Sequence, residues 1–191
     1  DYFNDVDADN AIDLVTEVNW GHSINAAKRD KGSADSDTTN FRSQAWEGFT
    51  QGRQLLADTA GNDLTDAEFA ELQGHRDTAL LAWENAIAAT VVHYINDTIA
   101  DMDEIGTADY SFENHAKHWG EMKGFALSLQ FNRMSPVSDS DFEAMQDYMG
   151  TAPVLSNASA SDLAAYREDL LAARAILGQA YGYSDDNLSG W

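Results

Sequence analysis

His115, His118 and Glu121 follow one another at steps of three residues in the segment Ser111-Phe-Glu-Asn-His-Ala-Lys-His-Trp-Gly-Glu-Met-Lys-Gly-Phe125. If this stretch is a helix turning about 100° per residue, its apolar arc is made by Phe112, Trp119, Met122, Phe125, Ala126 and Leu129. Both imidazoles fall inside that arc and Glu121 falls on its edge. A polar ring aimed into an apolar seam needs a partner, because burying it unpaired is costly. A metal ion is one such partner, since imidazole nitrogen and carboxylate oxygen suit zinc, iron or manganese. A hydrogen-bonded polar cluster that holds register between helices is the other.

One helix rarely completes a coordination shell, so further ligands are expected from facing helices. Glu84 is the leading candidate: it lies within about 40° of the centre of the Trp83/Ile87/Val91 stripe, where a solvated carboxylate has no place. His22, on the border of the first helix's apolar face, comes next. His93 and His75 project opposite their helix's apolar stripe and read as solvent-facing or second-interface residues. Calcium is a separate candidate at Asp5-Val-Asp-Ala-Asp-Asn-Ala-Ile-Asp13, which has the acids of the start of a calcium loop. Asn10, however, stands where such loops place a turn glycine, Thr16 where they place a bidentate glutamate, and Glu17 comes one residue late. Helix N-capping by a run of acids is the competing reading. No serine-triad signature, glycine-rich phosphate loop, CxxC or His-Glu-x-x-His motif is present.

Helical periodicity dominates the elements that must position these residues, and no alternating strand of useful length appears. The expected helices run over 8–29, with Ala11, Leu14, Val18, Gly21 and Asn25 on one face, and over 41–57, burying Phe41, Ala45, Phe49, Gly52 and Leu56. A third opens at the capping box Thr65-Asp-Ala-Glu68 and carries a stripe from Phe69 to Met102. Its length, about 60 Å if straight, leads us to expect a kink or break. The fourth, over 110–132, carries the His/Glu group. A short fifth opens at Ser140-Asp-Phe-Glu143 and stops at Gly150, and the last covers 161–181. The tail is expected to pack through Trp191. Long amphipathic helices joined by short polar turns describe an all-α antiparallel bundle of five to six helices in a single domain over 1–191.

The chain has 191 residues, with 33 acidic against 11 basic side chains and a net charge of −22. That charge repels nucleic-acid phosphate and anionic lipid and concentrates cations instead; adaptation of the surface to salty surroundings is the plainer account of it, ahead of cation capture. No run of about 18 apolar residues exists, so no transmembrane segment is expected. Cysteine is absent, which excludes thiolate sites and disulfides. The sequence starts at Asp1 without methionine, as a mature or trimmed product would.

The stretch His118-Trp-Gly-Glu-Met-Lys-Gly-Phe-Ala-Leu-Ser-Leu-Gln-Phe-Asn132, followed by Ser135-Pro136, resembles the signature of an uncharacterised bacterial family, domain-of-unknown-function 4856, related to the imelysins. The ending Asp169-Leu-Leu-Ala-Ala-Arg-Ala-Ile-Leu-Gly-Gln-Ala-Tyr-Gly-Tyr183 with Trp191 is similar to that family's C-terminal part. The resemblance covers roughly the second half of the chain. It implies an exported helical-bundle lipoprotein of Gram-negative bacteria, in the periplasm, anchored at the outer membrane or on the cell surface. It also implies a link to iron acquisition, with an outer-membrane or cell-surface protein as partner, and a chain that is the C-terminal part of a longer precursor. Imelysin-like proteins share a Gly-x-His-x-x-Glu motif proposed to bind metal. His118 and Glu121 occupy its His and Glu places, while Ala116 replaces the glycine. The expected function is therefore binding of a divalent ion, zinc or iron, or a metal-bearing ligand, through His118 and Glu121, with His115, Glu84 and His22 as further ligands. Two alternatives stand beside it. One is a self-associating structural or surface-assembly protein whose histidines are core. The other is a zinc-dependent peptidase, with His118 as ligand and Glu121 as ligand or general base, although catalytic zinc wants three protein ligands.

Overall fold

The computed structural model describes residues 5–17 and 21–191. Among them every regular element is helical: α1 (Gly21–Lys31), α2 (Phe41–Asp58), α3 (Asp66–Asp103), α4 (Phe112–Ser128), α5 (Asp139–Met149), α6 (Ala160–Tyr181) and α7 (Asp185–Gly190), with a 3-10 turn at Leu129–Phe131. This is the all-α helical bundle that the periodicity predicts, with the tail adding α7. Among the described residues no helix is long and apolar enough to cross a membrane. The chain divides into two compact units, residues 1–31 with 38–86 and residues 32–37 with 87–191. Helix α3 contributes to both.

In the first unit the helix expected from Ala8 is described over Gly21–Lys31, residues 8–17 are not helical, and Val18 of its predicted face lies outside the described residues. Residues 5–17 form a loop because their carboxylates take amides that a helix would use. Asp5 Oδ2 accepts from Asn10 N at 2.9 Å, Asp9 Oδ1 from Ala11 N at 2.8 Å and Asp13 Oδ1 from Val15 N at 2.7 Å. Short acidic side chains compete with helical backbone bonding in this way. Ala8 and Asn10 adopt φ of 61° and 69°, which stops any helical continuation. Glu17 closes the loop, its two carboxylate oxygens accepting from Val6 N at 2.6 Å and Asp13 N at 2.7 Å.

Helix α2 starts as expected, but its cap comes from α1. Asn40 makes no side-chain cap bond. Instead Asp30 reaches across, with Oδ1 accepting from Phe41 N at 2.8 Å and Oδ2 from Arg42 N at 3.0 Å. A carboxylate there satisfies orphan N–H groups and the positive end of the helix dipole. The buried line of α2 runs through Phe41, Ala45, Gly48 and Gly52. A Cβ on Gly48 would stand 2.7 Å from the backbone oxygen of His75, so only glycine allows this approach to α3. The glycine ridge sets the rotation of α2 and leaves Phe49 and Leu56, both predicted to be buried, 38% and 50% exposed. The predicted box opens α3, with Thr65 N donating to Glu68 Oε2 at 2.7 Å and Glu68 N to Thr65 Oγ1 at 3.3 Å. The helix then runs for 38 residues as one α-helix, without the expected break.

The second unit has its core in Val91, Ile95, Met122, Ala126, Met145, Met149, Leu170 and Leu177. Helix α5 starts two residues before the predicted box. Ser138, in extended backbone, accepts from Asp141 N at 3.1 Å and donates to Asp141 Oδ2 at 2.7 Å. Ser159 with Asp162 opens α6 in the same way. Gly150, at φ 71°, ends α5 as read from the sequence. The tail packs: Trp191 is buried against Tyr183, and its carbonyl accepts from Asn96 Nδ2 at 2.8 Å. Buried Asn187 ties the 32–37 segment to α7, accepting from Ala34 N at 2.7 Å and donating to Asp37 O at 2.8 Å.

Candidate functional site

In the second unit α4 presents the predicted His/Glu segment. Ser111 caps it, accepting from Asn114 N at 3.3 Å. Most of the segment's distinctive residues have structural roles. Trp119 Nε1 donates to Met149 O at 3.1 Å and to Tyr166 Oη at 2.9 Å, and Tyr166 Oη donates to the same carbonyl at 2.8 Å. Lys123 Nζ donates to Gln146 O at 3.1 Å. A tryptophan, a tyrosine and an ammonium thus satisfy the last carbonyls of α5, where positive charge is favoured. Burial pushes the Tyr166 phenol up to about 12, against the bond from Trp119, and pulls the Lys123 ammonium down, against the nearby charge of Asp147.

His118 has a different role. Its Nδ1 lies 2.7 Å from Asp101 Oδ2, and its Nε2 lies 4.0 Å from Asp97 Oδ2. An ionised carboxylate only accepts, so the short contact places a hydrogen on Nδ1 and leaves the Nε2 lone pair free to bind in the neutral ring. Both acids come from α3, four residues apart. One turn earlier on the same ridge, His93 Nε2 lies 3.3 Å from that Asp97 oxygen. The rings of Tyr94 and Phe125 stack at 5.8 Å, and Tyr94 lies 6.1 Å from His118, giving the group an aromatic wall.

The other predicted ligands are placed as follows. Glu121 pairs with Lys117 at 3.8 Å, and its Oε2 is buried without a hydrogen-bond partner. Among the described residues the acids paired with His118 are Asp101 and Asp97, not Glu121. His115 is fully buried, with Nδ1 3.2 Å from Tyr110 Oη and Nε2 without a hydrogen-bond partner. Burial holds its pKa below the ordinary histidine value; the charge of Asp101 opposes that shift and His118 adds to it. Burial also raises the Tyr110 phenol, with the Asp101 charge adding. Glu84 and His22 belong to the first unit. Glu84 is buried, as its place on the stripe predicts. His22 packs on Trp83 with ring centroids 5.2 Å apart; burial lowers its pKa and the Glu84 charge opposes the shift.

Sequence reading missed Asp97 and Asp101 and set His93 aside. The signal was there: His93, Asp97 and Asp101 recur at four-residue spacing, so they share one ridge of a helix. Its position opposite the apolar stripe made that ridge read as solvated, and only the docking of α4 along it brings His118 against these acids.

At the candidate calcium segment the carboxylates of Asp5, Asp7 and Asp9 converge to within 4.8 Å of one another. Among the described residues this is the only group of three or more histidine or acidic side chains that close. Among the described residues these carboxylates accept amides of their own loop.

Fold and site together define an all-α helical-bundle protein with a histidine–carboxylate ridge between two helices of one unit. The chain matches no protein-family model, no curated protein and no solved structure.

Proposed function

We propose that this protein binds a divalent transition-metal ion, zinc or iron, with His118 Nε2 as a ligand. The observation that carries this reading is the 2.7 Å contact between His118 Nδ1 and Asp101. A carboxylate on one imidazole nitrogen fixes the tautomer and the ring orientation and makes the other nitrogen a stronger donor, the arrangement that metal-binding histidines favour. Nitrogen and carboxylate donors together suit zinc and iron rather than calcium or magnesium. The net charge of −22 supports capture of a cation. The resemblance to imelysin-related proteins supports iron as the ion and an exported setting at the Gram-negative cell surface. The peptidase alternative gains nothing from the geometry, because its candidate general base, Glu121, is turned to Lys117.

The test is elemental analysis and equilibrium dialysis of protein purified without a metal-affinity tag. One equivalent of zinc or iron is expected on the unmutated chain, and His118→Ala should lose it. Absence of stoichiometric metal from the unmutated chain rejects the reading.

A further inference from the structure

We propose that α3, not the acid of the His-x-x-Glu motif, completes the coordination of this ion, with His93 Nε2 and Asp97 Oδ2 joining His118 Nε2. The inference rests on the reading above and names the ligand set.

Its basis is the spacing of the donor atoms. A tetrahedral ion with bonds of about 2.0–2.1 Å holds its ligand atoms roughly 3.4 Å apart. The His93–Asp97 edge is 3.3 Å and the Asp97–His118 edge is 4.0 Å, so one carboxylate oxygen already stands between two imidazole nitrogens at close to that spacing. The third edge, between the two nitrogens, is open, because the three atoms do not all come within 4.8 Å of one another. Closing it requires a ring to move, and His93 is the more exposed of the two. The His93 side chain is 28% exposed, whereas Asp101 anchors His118. Asp101 is then the orienting carboxylate behind His118, and Asp97 the ligand.

The chemistry of this set is specific. Two imidazoles and one carboxylate bind zinc or ferrous iron and leave coordination positions open for water or an exogenous ligand. Two of the ligands lie one turn apart on α3 and the third comes from α4. Glu121 lies outside the triangle, its charge directed to Lys117.

The experiment is a titration of the whole chain with cobalt(II), followed by its visible absorption, and with zinc(II) by competition against a chromophoric chelator. His93→Gln, Asp97→Asn and Glu121→Gln are compared with the unmutated chain, and circular dichroism and melting confirm that each variant is folded. The expected result is one bound ion, an affinity loss of about tenfold or more in His93→Gln and in Asp97→Asn, an altered cobalt spectrum in both, and unchanged binding in Glu121→Gln. Full binding in His93→Gln and Asp97→Asn with loss in Glu121→Gln overturns this ligand set and leaves the metal-binding reading standing. No binding by the unmutated chain removes both.

Discussion

His118 of α4 and Asp101 of α3 meet through Nδ1 and Oδ2 at 2.7 Å, although 17 residues separate them in the chain. The contact joins two helices of the second unit and at the same time orients an imidazole, so its loss should act on binding and on packing to different degrees.

Asp101→Asn tests that split. The amide is nearly isosteric but can offer either a donor or an acceptor to the ring, so it no longer dictates the tautomer. Metal affinity should fall by about 10- to 100-fold, the usual cost of removing an orienting carboxylate. Helicity should be unchanged. Equal affinity in the variant and the parent chain would show that the contact only holds the helices in register.

Trp119→Phe should destabilise the protein and spare the proposed metal site. Without the indole N–H, Met149 O loses one of its two donors while Tyr166 still serves it, so the expected cost is about 1 kcal/mol. Urea unfolding measures the loss, and the cobalt titration should superimpose on that of the parent. A weakened titration would place Trp119 within the site instead.

Gly48→Ala probes the first unit. The new methyl would lie 2.7 Å from His75 O and 2.8 Å from Ala79 N, both backbone atoms that cannot step aside. Overpacking of this kind costs about 1–3 kcal/mol, well above the helix-propensity gain of about 1 kcal/mol from replacing glycine. A lower melting temperature is expected, and a rise would show that α2 can retreat from α3 at little cost.

Stability should also depend on pH through His115. Its folded pKa lies below the ordinary value, first because of burial, so the unfolded chain binds the extra proton more readily. The folded state is therefore penalised as pH falls below about 6.5, through the unfolded pKa and down toward the folded one. His115→Leu abolishes this term. The drop in melting temperature between neutral pH and pH 5 should be smaller in the variant than in the parent, and identical drops would mean that His115 titrates normally.

The helical class was legible in residue order alone, because a period of 3.6 in apolar side chains needs no knowledge of what lies opposite. Local stops and starts were legible for the same reason: the Thr65/Glu68 box and the Gly150 terminus depend only on neighbours in sequence. Where two local signals competed, the order of residues did not decide. Ser138 and Ser140 both sit before an acid three residues on, and the extended backbone at Ser138 made it the cap. The acids of 5–17 read as a helix start until their carboxylates were seen bonded to their own loop amides.

The candidate site divides along the same physical line. That His118 is half-buried rather than solvated fits its place on the arc of α4, a property of one helix. Which acid it meets depended on how α4 docks against α3, a relation that only tertiary packing sets, and it chose Asp101 over the nearer-in-sequence Glu121. Periodicity specifies the face a side chain occupies, because that is geometry about a single axis. It leaves open the residue across the seam, because that depends on the offset and rotation between two axes, which core packing along both helices determines.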